Sequence, residues 1–246
     1  LAFSLSFWEW VLASLVVIIG ALVQGSIGFG VALLGAPLLF LINPMLVPAP
    51  VIIIGMSLPL LILLRDHHAV VYRDVAWVLP GKLLGSLMAA ALLGVVSESA
   101  LGLVFGALVL LGVGLSLSRR FPLPGGRHLF AAGGVAGFMA TTTSIGGPPL
   151  ALVFQHVRGA RLRGTLSACF IPGGIFSLAA LWWVGRLGWS ELMAGLSLFP
   201  AIISGFLLSA YLAHWLDRGW LRPALLAVSA LAGLTAVVNA AWQLLS

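Results

Sequence analysis

The side chains able to do chemistry in this chain lie in two short clusters within apolar sequence, with one lysine between them. Gln24, Gly25 and Ser26 are followed by Gly28, Phe29 and Gly30; Thr141, Thr142, Thr143 and Ser144 are followed by Gly146, Gly147 and Pro148. The amide and hydroxyls donate hydrogen bonds and neither cluster holds a carboxylate, so their shared chemistry is recognition of an anion's oxygens. Lys82, the sole lysine, would add a fixed positive charge, or would snorkel to a headgroup region if it lies near a membrane surface. Ser26 or Ser144 as a nucleophile would need a base. His67, His68, His128, His156 and His214 all fall at the ends of apolar segments, which leaves Lys82 as the candidate. None of these histidines has a second ligand at i, i+4 spacing, so no metal site is expected, and no cofactor either.

The medium that must hold these clusters follows from composition. With 61% hydrophobic and 7% charged residues and a mean hydropathy of +1.18, the chain cannot cover itself with a polar surface in water. It reads as an integral membrane protein, and its first partner is the lipid bilayer. Twelve Lys and Arg stand against six Asp and Glu, almost all in short loops, which marks orientation in a membrane. A nucleic-acid partner would need an exposed basic domain with interleaved aromatics, and there is none. Asp66, Asp74 and Asp217 sit in basic loops and are expected to form exposed salt bridges or to cap helices. Tryptophans such as Trp8, Trp182, Trp183, Trp189 and Trp242 fall near segment ends, as in an interfacial belt.

Hydropathy divides the chain into eight apolar segments, 7–42, 45–64, 76–96, 99–117, 128–155, 164–184, 191–212 and 221–245. The first is 36 residues long, which as one helix would reach about 54 Å against a hydrocarbon core of about 30 Å. It must break, and the glycines of the first cluster are the place. The fifth segment is interrupted in the same way at the second cluster. Ser26-Ile27-Gly28 recurs as Ser144-Ile145-Gly146, 118 residues later, and Pro80 and Gly85 pair with Pro200 and Gly205 at a spacing of 120. The expected organisation is a duplicated chain: a first repeat 1–118, a linker 119–127 and a second repeat 128–246.

Positive charges test how the broken segments lie. If all eight segments cross, the twelve Lys and Arg divide seven to five between the two sides. If 7–42 and 128–155 each enter, break and return, eleven share one side and Arg186 alone is opposite. That is the distribution of a cytoplasmic face. Each repeat then holds a re-entrant helical hairpin and three transmembrane helices, an odd number of crossings, so the repeats are inverted. The expected fold is all-α and polytopic. In a bacterium it belongs in the inner membrane, with both termini outside and the linker cytoplasmic.

A helix that restarts in mid-membrane offers unpaired N–H groups and the positive end of its dipole to an anion. Restarts are expected at about Gly30-Val31 and at Pro148-Pro149, proline being favoured in the first turn. The stretches "QGSIGFGVALLGAP" and "GGVAGFMATTTSIGGPPL" together with the two-half layout resemble the TauE/SafE family of membrane transporters. The resemblance covers the whole chain; the first half departs from it in having Gly-Phe-Gly where many members have a run of glycines. It implies transport of a small sulfur-containing or organic anion such as a sulfonate or sulfite, with a carboxylate as a further possibility. The expected function is a secondary carrier working by alternating access around a midplane site formed by the two clusters and Lys82. Alternatives are a passive anion channel, an intramembrane serine hydrolase, and clusters whose glycines serve helix packing alone. No buried acidic residue marks a proton or sodium as the coupling ion, and no feature fixes an oligomeric state.

The charge distribution makes the topology testable. In a Cys169→Ser background, single cysteines at Arg120 and Arg161 are expected to label with a membrane-impermeant reagent from the cytoplasm alone. Labelling from opposite sides would restore eight simple crossings.

Overall fold

A computed structural model describes residues 5–27, 31–96, 98–118, 125–216 and 221–245. The described residues form α-helices joined by short connections and 3-10 turns, with no strand among them. The first half contains α1 (Phe7–Ile27), α2 (Val31–Ile42), α3 (Ala49–Gly55), α4 (Ser57–Asp66), α5 (Tyr72–Val95) and α6 (Glu98–Leu117). The second contains α7 (Gly126–Thr143), α8 (Gly147–Val153), α9 (Gly159–Trp183), α10 (Trp189–Ser197), α11 (Phe199–Leu216) and α12 (Leu221–Leu245). Among the described residues, seven stretches are long and apolar enough to cross a membrane. A helix satisfies its own backbone hydrogen bonds, which hydrocarbon demands of any spanning segment. Leu12, Leu15 and Ile19 on α1, and Leu231, Leu234 and Val238 on α12, are exposed, as lipid-facing side chains are. The tryptophans at positions 8, 182, 183, 189 and 242 are exposed near helix ends.

Segments 45–64 and 191–212, read from hydropathy as single helices, are each divided. The first separates into α3 and α4 at Met56, the second into α10 and α11 at Leu198. Proline explains both: Pro59 has no amide to bond the carbonyl of Gly55, nor Pro200 that of Leu196, so the ladder fails one turn before each proline. The hydropathy window averages over this loss and does not register it.

Glycine sets the closest helix contacts. On α5, Gly81 lies against the backbone carbonyl of Phe130 and Gly85 against that of Gly134; on α7, Gly133 lies against the carbonyl of Val78 and Gly137 against that of Lys82. Partner numbers rise together, so α5 and α7 run parallel, backbone on backbone. Helices α6 and α12 run antiparallel: a Cβ on Gly102 would sit 2.8 Å from Ala240 Cβ, and one on Gly233 2.9 Å from Val109 Cγ1. Helices α4 and α9 are also antiparallel, with Asp66 beside Gly164 and Met56 beside Gly174. Gly205 of α11 packs on Ile18 and Ala21 of α1.

Two helix pairs turn back on themselves. Asn43 Nδ2, just beyond α2, donates to Glu9 Oε1 in the first turn of α1 at 3.2 Å, so the chain leaves α2 beside the place where it entered α1. After α7, Ser144 takes a left-handed conformation with φ 66° and the chain reverses into α8. Val153 and Phe154 at the end of α8 then pack in one buried cluster with Leu129 near the start of α7.

The α5–α7 contact predicts a sharp difference between glycines. Gly85→Leu is expected to lower the thermal midpoint of the detergent-solubilised protein through an overpacking cost of about 1–3 kcal/mol or more. Gly114, with nothing within 4 Å of an added Cβ, should accept alanine within ~0.5 kcal/mol. Equal midpoints for the two variants would mean that α5 and α7 separate without cost.

Candidate functional site

Between the halves lies a cavity of about 600 Å³ whose walls come from both of them. Its deepest charged group is Lys82, ten residues after the start of α5 at Tyr72. The side chain is only 1% exposed, lies against Gly173 of α9, and holds its ammonium 5.1 Å from the centre of the Phe170 ring, a cation–π contact. It does not reach for a membrane surface. Gly173 admits it because any larger residue there would occupy the space of the lysine Cε.

One turn further along α5, Ser86 Oγ is 3.5 Å from Ser177 Oγ of α9, and Thr141 Oγ1 of α7 is 2.9 Å from the same Ser177 Oγ. Ser86, Thr141 and Ser177 are all fully buried, so this hydroxyl cluster joins three helices beside the lysine. Across the cavity the second break contributes Ser144, Gly146, Gly147 and Pro148, and Gln24 of α1 joins them. Ser144 Oγ donates to the carbonyl of Pro48 at 3.0 Å, which fixes the end of α7 to the chain entering α3. Gly146 is needed for the reversal, since a Cβ there would meet the Ala136 carbonyl and Ala140 Cβ, each at 2.9 Å.

The walls between depth and mouth are apolar. Leu162, Leu166 and Phe170 recur at i, i+4, i+8 on α9 and face Pro59 and Ile62 of α4. Arg65 and Arg163 line the mouth. Asp66 receives Arg65 Nε at 3.1 Å and Arg163 Nε at 3.0 Å, and its carboxylate is 7% exposed against 64% and 41% for the two arginine side chains. Val71 N–H donates to Thr165 Oγ1 at 3.0 Å just beside this cluster. From Arg163 to Gly173 is ten residues of helix, so the mouth and the lysine are separated by about 15 Å along α9. The described lining residues include three basic groups and no carboxylate. Such a cavity is suited to an anion of small-molecule size.

The residues singled out from sequence divide by location. Gln24, Lys82, Ser144, Gly146, Gly147 and Pro148 share the cavity wall. Thr141, Thr142 and Thr143 are buried behind it, with their hydroxyls on the carbonyls of Gly137, Phe138 and Met139 at 2.9, 2.8 and 2.7 Å. Gly25 and Ser26 belong to the last turn of α1, and Gly28, Phe29 and Gly30 lie outside the described residues. Helix α8 starts at Gly147 and has only seven residues, so the fixed positive charge in the depth is that of Lys82 more than of a helix dipole. Asp66 forms the salt bridges expected of it, but buried between two arginines instead of exposed in a loop.

Phe170, Ser177, Arg65 and Arg163 were not singled out from sequence. The small residues Gly173, Gly174 and Ser177 near Pro172 were the available signal on α9. The arginines had been read for orientation alone.

A family model described as sulfite exporter TauE/SafE matches residues 12–236 of the chain. No curated protein and no solved structure matches it.

The cluster at the mouth yields its own expectation. Asp66→Asn removes the negative charge and one of the two acceptor oxygens that tie α4 to α9, and leaves two guanidinium groups without a counter-charge between them, so its thermal midpoint should fall below that of either Arg65→Gln or Arg163→Gln. A midpoint equal to that of the unmodified protein would mean that the cluster contributes no cohesion.

Proposed function

The chain belongs to the sulfite exporter TauE/SafE family, and from that premise we propose that it is a secondary carrier for a small organic or sulfur-containing anion, a sulfonate, sulfite or carboxylate, working by alternating access around the Lys82 cavity. One observation carries the reading: a fully buried lysine in a cavity with no carboxylate among its described lining residues. An intramembrane ionisable group is costly and marks a substrate path. Here the missing counter-charge is the substrate's. The aromatic face of Phe170 and the amide side chain of Gln24 border the same space.

Alternating access draws support from how the helices pair. Moving along the chain by the 118-residue spacing of the two clusters carries α1 onto α7, α3–α4 onto α9, α5 onto α10–α11 and α6 onto α12. The α5–α7 contact then becomes the α11–α1 contact. The antiparallel pairs α6–α12 and α4–α9 map onto themselves, which a two-fold axis in the membrane plane requires. In this reading the repeats are inverted, α1–α2 and α7–α8 are the re-entrant hairpins, and both termini lie outside. Arg65 and Arg163 then open the cavity to the cytoplasm, and the structure is an inward-open state. In a bacterium the carrier sits in the inner membrane.

Purified protein in liposomes tests the function. Labelled sulfite, ethanesulfonate and acetate are offered with unlabelled anion inside and with none. Saturable flux, acceleration by internal anion, competition among anions and none by cations are the expected results, with Lys82→Ala abolishing them while the protein stays inserted. Linear flux without acceleration would indicate a channel, and chemical change of the recovered anion an enzyme.

A further inference from the structure

Resting on the carrier reading, we propose that the proton is the coupling ion and that Lys82 carries it, so that one proton and one anion cross together. The charges around Lys82 lead to this. Helices α7 and α9 are the elements packed most closely on α5. From α7 the titratable groups are Arg127 and His128 in its first turn; from α9 they are Arg161, Arg163 and the buried thiol Cys169. On α5 itself there are Tyr72, Arg73 and Asp74 in the first turn, and Asp74 is eight residues, about 12 Å, away along the axis. Asp66 is held by Arg65 and Arg163 at the mouth. Glu9 is engaged with Ser6 and Asn43, and Glu191 with Gly188 and Ser190. Among the described residues no hydrogen bond or salt bridge reaches the Lys82 ammonium.

The cycle follows from the cost of burying charge. With an anion bound, the ammonium and the anion form a pair, and the site can close over them. With the site empty, closure would enclose an uncompensated ammonium in a wall of Phe170, Leu166 and Met56, at a penalty far above that of the neutral amine. The empty carrier therefore returns with Lys82 as the amine. On the loading side the amine takes a proton from water and the ammonium binds the anion. On the far side the anion leaves, the N–H bond breaks, and the proton passes to water there. The electron pair stays on nitrogen, and for a monoanion no net charge crosses.

The hydroxyls of Ser86, Thr141 and Ser177, one turn along α5, bond one another and the carbonyls of Gly137 and Gly173, and bring no counter-charge to the lysine. Among the described lining residues no carboxylate offers a sodium ion a counter-charge. Replacement by arginine separates binding from coupling, since a guanidinium keeps its positive charge throughout.

The experiment uses the full chain in liposomes with an internal pH indicator and a clamped membrane potential, with ethanesulfonate and sulfite as probes. Ethanesulfonate is a strong-acid anion that does not cross lipid as its neutral acid. For the wild-type protein, an alkaline interior alone should drive ethanesulfonate inward with matching proton entry, and a membrane potential alone should not drive it; sulfite, which carries its own proton as bisulfite, serves only in the exchange assay. Lys82→Arg should keep anion-for-anion exchange while net uptake falls about tenfold or more, the factor that ~1.4 kcal/mol on the empty return imposes. Wild-type net uptake without proton entry, or net uptake by Lys82→Arg equal to wild type, overturns the proposal. If Lys82→Arg fails to insert, the wild-type proton measurement decides alone. Wild-type protein that exchanges neither probe overturns the carrier reading itself, whereas exchange without proton movement overturns the coupling alone.

Discussion

Helices α5 and α7 approach until backbone meets backbone, and the cavity is registered from that contact. Gly81 and Gly85 on one helix and Gly133 and Gly137 on the other leave no room for a side chain between them. Lipid gives these helices no hydrophobic reason to associate, so close van der Waals packing between small residues does the work. The same contact places the carbonyl of Lys82 against Gly137, which turns the lysine side chain away from α7 toward α9. Gly173 and Phe170 receive it there. A lysine that would otherwise extend to a headgroup is thereby held in the interior.

Charge is distributed along α9 with a single sign and two very different environments. At the mouth, two arginines share one aspartate and remain partly solvated. In the depth, one ammonium has an aromatic ring beside it and no carboxylate among the described lining residues. Between the mouth and Lys82 the described walls are apolar, formed by Leu162, Leu166, Pro59 and Ile62. The breaks in the helices border the same cavity. Gly55, Met56 and Pro59 at the α3–α4 division line one side, and Ser144 to Pro148 at the α7–α8 reversal line the other.

Much of this was legible in the residues, because the signals concerned are local. Composition and hydropathy determine a membrane bundle, since a chain this apolar has no soluble solution. The excess length of 7–42 and the glycines within it determine a break, and α1 ends at Ile27 with α2 starting at Val31. Gln24, Ser144, Gly146 and Pro148 are conspicuous because polar or helix-breaking groups are costly in hydrocarbon. The family, too, is carried by these short motifs. The divisions at Met56 and Leu198 were within reach through Pro59 and Pro200, but hydropathy averages over them.

What tertiary structure alone decided is the fate of side chains that have two physically reasonable positions. Lys82 could snorkel or be buried, and the choice rests on Gly137 and Gly173, residues 55 and 91 positions away. Thr141, Thr142 and Thr143 could face a cavity or their own helix; their hydroxyls find carbonyls one turn back, which is the nearest partner available in an apolar interior. Asp66 could sit in solvent, and Arg163, 97 residues later, draws it into the protein. Local sequence determines which groups are costly to bury, whereas the partner that offsets the cost is brought by the fold from elsewhere in the chain. That is why the sequence could name the membrane, the breaks and the family, and only the packed helices could bring one lysine and two arginines to the wall of a single cavity.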